Sequence, residues 1–261
     1  MKFVRSGFFF DAAVILALFG LWYVLTEDSG SFAFPPVAEI ARSFRNLWLF
    51  DRVASDLLPS LGRLFIAYAI ACALGIAMGV VLASNRIVFR LCDPVLQFIR
   101  AIPSITFIPI FLYVFGIGSG IQVTIIVAGC IWPILLNTLD GIRAENPVLR
   151  DTCTVYRIPP LRRLLQVTIP AVSPQILAGM RTGLAIAFIV MVASEMTMAT
   201  NGVGYIVMQA QRSYLIADMW AGIVLLSLIG YILNMAFQKV ESRILYWHPD
   251  FQATGASRNS F

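Results

Sequence analysis

The chain has 261 residues, of which 59% are hydrophobic and 13% charged, against about 25% charged in a typical soluble domain. With a mean hydropathy of +0.82, it holds more apolar surface than one water-soluble core of this size can enclose, which excludes a soluble enzyme, a disordered chain and a secreted disulfide scaffold. The net charge of +5 comes mostly from arginines at the ends of apolar stretches; membrane orientation explains that pattern, and nucleic acid is not an expected partner.

Six apolar stretches predict six membrane spans, at about 20 residues each. The first, 8–26, follows Lys2 and Arg5. It is too long for a signal-peptide core and lacks a small-x-small cleavage site, so it reads as a retained helix. The breaker at 31–36 follows. Then Val37, Ile40, Ala41, Phe44, Leu47 and Trp48 recur at helical spacing, with Glu39, Arg42 and Arg45 between them. Within an outer segment 35–57 this predicts an amphipathic helix, lying at the membrane surface or against the bundle.

The second stretch, 61–84, contains Gly75-Ile-Ala-Met-Gly79, a pattern that permits close helix packing. The third, 94–115, is interrupted by Pro103 and Pro109, and the fourth, 121–139, holds Pro133. The fifth covers 174–194 and the sixth 219–237. An ionisable group left in lipid is costly, and broken helices line binding sites. The candidate pathway residues are therefore Arg100, Ser104 and Thr106 around Pro103, with Glu195 and Asn201 after the fifth stretch. Interfacial placement is the alternative for Arg100 and Glu195. Arg181, seven residues into the fifth stretch, reads as satisfying backbone or a partner helix.

Four cysteines without ligand spacing and the single His248 predict no metal site. With six spans and the N-terminus inside, twelve basic residues fall in the inside segments and four in the outside ones, or five with Arg63, which stands at a span border. That bias puts both ends in the cytoplasm.

The longest inside segment, 143–170, is not a plain loop. Asn146-Pro147 marks a helix start. Val148, Leu149, Thr152 and Val155 give a short amphipathic stretch that Pro159-Pro160 ends, and helical spacing resumes at Leu161. Two short helical pieces outside the membrane, too apolar to be solvated all round, either dock into a partner or fold back onto their own bundle.

Here the sequence resembles the permease subunits of ATP-binding-cassette importers. Their cytoplasmic signature runs Glu-Ala-Ala, three residues, Gly, nine residues, Ile-x-Leu-Pro. In register with it stand Asp151-Thr152-Cys153, then Arg157, then Val167-Thr168-Ile169-Pro170. Further pieces resemble the nitrate, sulfonate and taurine branch, in order along most of the chain. They are Phe34-Pro35-Pro36, Leu58-Pro-Ser-Leu-Gly-Arg63, Asp93-Pro94, Arg100-Ala-Ile-Pro103, Phe115-Gly-Ile-Gly118, Pro133-Ile-Leu-Leu-Asn137, Ala193-Ser-Glu195-Met196 and Asn201-Gly-Val-Gly-Tyr205.

The resemblance implies an all-α membrane protein with the type I importer permease fold, one permease domain over 1–261. It implies a multi-pass protein of a bacterial cytoplasmic membrane, a second permease subunit (identical or homologous) and an external substrate-binding protein. Two cytoplasmic ATPase subunits would carry ATP and magnesium. Coupling to them would fall to Arg150, Asp151, Thr152, Cys153, Val155, Tyr156, Arg157, Arg162 and Pro170. Arg150, Arg162 and Arg163 would pair with acids on the ATPase, and Asp151 would favour the helix N-terminus. Arg157 stands where the family has glycine, so the turn there needs another accommodation.

The chain has no G-x-x-x-x-G-K-[ST], so ATP hydrolysis belongs to another chain and no cofactor is expected on this one. The expected solute is a small anion of the nitrate, sulfonate, taurine or organic-acid type; a neutral or cationic solute on the same fold is the open alternative. A membrane-embedded enzyme would need clustered His, Asp, Glu or Ser, which the scattered acids do not supply.

Overall fold

The computed structural model describes residues 33–48 and 52–247, with Gly20 and Trp22. The first expected span, 8–26, lies outside the described residues apart from those two positions. Regular structure among the described residues is helical. It comprises α1 (Val37–Asn46), a π-helical turn (Val53–Leu57), α2 (Leu58–Ser84) and α3 (Arg86–Ala101). A 3₁₀ turn (Ser104–Phe107) leads to α4 (Ile108–Phe115), α5 (Ser119–Arg143) and α6 (Pro147–Val155). Short turns follow, then α7 (Ser173–Met198), α8 (Val203–Arg212) and α9 (Ile216–Ile244).

Four of these helices are long and apolar enough to cross a membrane, namely α2 with its preceding turn, α5, α7 and α9. The stretch expected at 94–115 is not a straight span. Arg86–Ala101 and Ser104–Phe115 meet at an 88° bend, so the pair makes at most one broken crossing. Pro103 is the cause: it holds Ile102 extended, with ψ at 121°, and ends α3. Pro109 interrupts nothing, because it sits in the first turn of α4, where a missing N–H leaves no bond unmade. The segment 85–93, which falls between the second and third expected spans, is helical too. The Asn85 side chain accepts from the backbone N–H of Ile87 at 2.9 Å and of Val88 at 3.3 Å, and so starts α3 directly after α2.

The chain falls into two compact units. In the unit Leu57–Tyr205, α5 runs between α2 and α7. Gly75 and Gly79 bring α2 against one side of it. A Cβ at Gly79 would lie 2.7 Å from Thr138 Cβ and 2.9 Å from the Leu135 carbonyl oxygen. Gly179 and Gly183 bring α7 against it likewise. A Cβ at Gly179 would lie 2.6 Å from Asn137 Cβ and 2.7 Å from the Pro133 carbonyl oxygen. Small residues that let backbones approach are the packing device of membrane helices. Around these contacts Leu64, Ala67, Ala71, Ile125, Ile126, Cys130, Ile134, Leu135 and Ala187 are fully buried. Two polar side chains in the second half of α5 are satisfied on their own helix, as an apolar surrounding demands. Thr138 Oγ1 donates to the Ile134 carbonyl at 2.7 Å and Asn137 Nδ2 to the Pro133 carbonyl at 2.8 Å.

In the other unit α1 packs along α9, the second of the two places expected for it. Ile40 and Trp48 are buried, and the Ser43 hydroxyl donates to Asp218 at the start of α9. Trp220 Nε1 donates to the Ala33 carbonyl at 3.1 Å, and its ring meets that of Trp22 edge-on at 4.7 Å. Glu39, Arg42 and Arg45 stay on the exposed side.

The packing on α5 sets a test. Gly79→Ala and Gly179→Ala are each expected to lower stability by about 1–3 kcal/mol, because the new methyl meets backbone oxygen. Gly62→Ala, where an added methyl meets nothing within 4 Å, is expected to hold stability or raise it by up to about 1 kcal/mol. Unfolding in mixed detergent micelles measures all three.

Candidate functional site

The signature segment forms α6 and the turn after it. Asn146 caps the helix by accepting from the Val148 N–H at 2.9 Å, with Pro147 in the first turn. The N-terminal stabilisation expected of Asp151 therefore falls to Asn146, and Asp151 lies exposed further along. Cys153 is buried and turns one side of α6 inward. Val148, Val155 and Tyr156 are 69%, 78% and 76% exposed. Arg150 and Thr152 are exposed as well.

The C-terminus of α6 explains Arg157. The Ile158 N–H donates to the Cys153 carbonyl at 3.0 Å, and the Arg157 N–H donates to the Thr154 carbonyl at 3.1 Å. This is the paired closure that places the residue after the cap in the left-handed region. Arg157 has φ of +51°. The turn thus keeps the shape a glycine would give it, with an arginine held there at a cost of roughly 1–2 kcal/mol.

A second set of contacts fastens the segment to the helices on either side. Glu145, just past the end of α5, accepts from Arg163 Nη2 at 2.9 Å and from Thr168 Oγ1 at 2.8 Å. Arg163 is thus committed to Glu145 within the chain, a use the sequence reading did not assign it. Arg162 stays exposed, its Nε donating to Gln166 at 3.0 Å. Pro170 is half-buried in the turn Ile169–Ala171 that leads to α7, a joint rather than a presented surface. Between the segment and the helix ends lies a cavity of about 990 Å³ whose charged lining is Arg86, Arg90, Arg143, Arg150, Arg163 and Glu145. The Arg143 guanidinium sits 3.5 Å over the Phe89 ring, so an aromatic face replaces part of its hydration.

At the opposite end of α2, α5 and α7 lies a polar core. Ser60, Arg63, Gln122 and Glu195 are between 1% and 5% exposed. Ser60 Oγ donates to Glu195 Oε1 at 2.6 Å, and Arg63 Nη2 lies 3.5 Å from the same oxygen. The other carboxylate oxygen accepts from the Gly204 N–H at 3.0 Å. Arg63 also donates to Gln122, to Asn201 Oδ1 at 3.1 Å and to the Pro59 carbonyl at 3.0 Å. Gly202, at φ of +123°, lies so close that a Cβ there would be 2.6 Å from Glu195 Cδ. The turn at Asn201–Gly204 is therefore built around the Glu195 carboxylate.

Of the candidate pathway residues, the structure brings Glu195 and Asn201 together through Arg63, which sequence reasoning left at a span border. The remaining three sit elsewhere. Arg100 is exposed in the last turn of α3 and Thr106 is exposed beyond the bend. Ser104 packs on α5, where a Cβ at Gly129 would lie 3.0 Å from its Oγ.

Residues 71–246 match the binding-protein-dependent transport system inner membrane components. The chain belongs to this family. It is 27% identical over 240 residues to the putative aliphatic sulfonates transport permease of Bacillus subtilis, covering 92% of this chain and 87% of that protein. With the nitrate import permease of Synechocystis it shares 25% identity over 242 residues, 90% of this chain and 88% of that one. Its fold resembles that of a MetNI methionine ABC transporter chain in an inward-facing conformation, with a TM-score of 0.66 at 18% identity. That match covers 72% of this chain and 94% of the other. The chain is a multi-pass ABC importer permease of the nitrate, sulfonate and taurine branch, a transport subunit and not an enzyme.

Both sites make predictions. Arg157→Gly is expected to raise stability by about 1 kcal/mol, since glycine takes the left-handed turn without strain but gives up chain entropy. Arg157→Val is expected to lower it, and a thermal melt reads both. Arg63→Ala and Glu195→Ala are each expected to cost about 3–5 kcal/mol by stranding a buried charge. The double variant is expected to cost clearly less than their sum, which a double-mutant cycle in unfolding free energy measures.

Proposed function

We propose that this chain forms one half of the translocation pathway of an ATP-driven importer and that α6 with the turn after it is its docking element for an ATPase subunit. The observation that carries the reading is the exposed apolar group of Val148, Val155, Tyr156 and Leu161, each at least 68% exposed on a segment capped and clamped by its own chain. Apolar side chains on a short held helix suit a groove on a partner. Arg150, Asp151, Thr152, Arg157 and Arg162 stand around them as a polar rim, while Cys153 and Pro170 hold the segment from beneath.

In this reading the assembly holds two permease subunits, identical or homologous, and two ATPases that carry ATP and magnesium. An external binding protein delivers the solute. The arginine-rich end with α6 faces the cytoplasm of a bacterial cell, and both termini lie on that side. ATP binding draws the two docking elements together, and the clamp at Glu145 passes the movement to α5 and α7, so the pathway opens alternately to each side. The solute is a small anion, a choice supported by the sulfonate and nitrate named for the two relatives.

Copurification of the detergent-solubilised permease with its ATPase tests the docking. Asp151→Lys with Val155→Glu is expected to lower the ATPase recovered at least tenfold with the melting temperature unchanged. Equal recovery from the intact and altered chains would remove this segment as the docking element.

A further inference from the structure

The cavity between the signature segment and the helix ends carries a charge that its own lining does not balance. Five arginines line it, Arg86, Arg90, Arg143, Arg150 and Arg163, against one acid, Glu145. Glu145 already accepts from Arg163 at 2.9 Å and from Thr168 at 2.8 Å. The other four arginines make no ion pair among the described residues. Arg150 belongs to the docking rim of α6. Arg86 and Arg90 on α3 and Arg143 on α5 do not, and like charges gathered around one cavity repel unless an anion joins them.

Two features say which anion. The first is level. Ala83 and Ser84 at the end of α2, and Ile142 and Arg143 at the end of α5, line the cavity. Two spanning helices thus run out beside it, where the phosphates of a bilayer lie.

The second is α3, which has three sides. Val88, Phe89, Cys92 and Leu96 pack inward around Leu82, Leu135 and Leu139. Arg86, Arg90, Asp93, Gln97 and Arg100 follow at helical spacing as a polar stripe. Asp93 accepts from Gln97 at 3.4 Å and does not line the cavity. Beside that stripe run Ile87, Leu91, Val95 and Phe98, each more than half exposed. A diffusible anion would use the arginines and leave the apolar stripe bare. A phospholipid uses both.

We propose that this cavity binds an anionic phospholipid of the leaflet on its side of the membrane. Arg86, Arg90 and Arg143 take the phosphate, and the stripe from Ile87 to Phe98 takes an acyl chain. A guanidinium meets two phosphate oxygens at once, and basic pockets between spanning helices are the usual seats of such headgroups. A lipid held there joins the ends of α2, α3 and α5 beside the Glu145 clamp. The assignment depends neither on the solute nor on the docking of α6.

The test uses the purified intact chain in a neutral detergent, with bound lipid read by native mass spectrometry. Dioleoylphosphatidylglycerol is expected to bind at least tenfold more tightly than dioleoylphosphatidylcholine. Arg86→Gln with Arg90→Gln is expected to abolish that preference, and Arg86→Lys with Arg90→Lys to keep part of it. Lys239→Gln with Arg243→Gln removes the same charge from exposed positions of α9 and is expected to keep the preference whole. Melting temperature in phosphatidylcholine is expected to be unchanged in all three variants. A preference that survives the glutamine pair on α3 would put the lipid elsewhere and overturn the site. Equal loss in the α9 pair would reduce the effect to overall charge and overturn it too. In a second arm, inorganic phosphate is expected to displace no more phosphatidylglycerol than chloride does at equal ionic strength. Greater displacement by phosphate would make the cavity a site for a soluble anion, and the lipid assignment would fall. Release of the lipid on addition of the ATPase would give the cavity to that partner instead.

Discussion

Everything in the unit Leu57–Tyr205 depends on how closely α2 and α7 approach α5. In lipid no hydrophobic force draws helices together, so association rests on dispersion between surfaces that fit. Glycines on both flanking helices remove the side chains that would hold the backbones apart, and at Gly79 and Gly179 the contact reaches backbone oxygen. Contact of this kind leaves little freedom to slide by less than a helical turn, because the residues on either side of each glycine carry larger side chains. α5 has 25 residues and is therefore about 37 Å long, enough to cross a bilayer with its two ends fixed in depth. The polar features of the unit are arranged by those ends.

At one end the helix starts are joined by the carboxylate of Glu195. At the other, Glu145 ties the finish of α5 to Arg163 and to Thr168 ahead of α7. The two carboxylates do the same mechanical work by different chemistry. Glu195 is almost wholly buried, so it needs a cation, a hydroxyl and a backbone N–H to offset its desolvation. Glu145 lies beside a cavity lined by arginines, where a single ion pair and one hydroxyl suffice. A displacement applied to α6 meets a capped helix, a closed C-terminal turn and this clamp in series. None of these is a floppy loop, so the displacement reaches the spanning helices instead of being absorbed.

Much of this was legible in the residue order where a local rule has one outcome. Asn146-Pro147 starts a helix because the side chain caps and the ring fits the first turn. Pro103 breaks one because it forces the residue before it to be extended. The glycine pair at 75 and 79 was readable as a packing face. The pair at 179 and 183 has the same spacing, yet went unremarked in a stretch whose charge at Arg181 draws the eye. Asn85 was missed as a cap because two arginines close behind it, Arg86 and Arg90, mark the segment as a connection between spans. The joining of Arg63 to Glu195 crosses 132 residues of chain, and no periodicity reports a contact made by tertiary packing. Arg157 is the instructive case. Its residue type argues against a left-handed backbone, and two hydrogen bonds to Cys153 and Thr154 impose that backbone regardless.

The arginines of this unit show how position assigns a role to one chemical group. Arg63 is buried, and its donors are divided among a carboxylate, two amides and two backbone carbonyls. A guanidinium so engaged fixes structure, and moving it would strand several partners at once. Arg143, at the end of α5, rests on an aromatic ring at the level where apolar chain gives way to charge, which suits an anchor. Arg163, part-buried, pairs with Glu145 at 2.9 Å and ties the finish of α5 to the segment ahead of α7. The fold therefore uses arginine three times to hold itself together: buried at Arg63, on an aromatic face at Arg143 and in an ion pair at Arg163, each role set by what surrounds the same guanidinium.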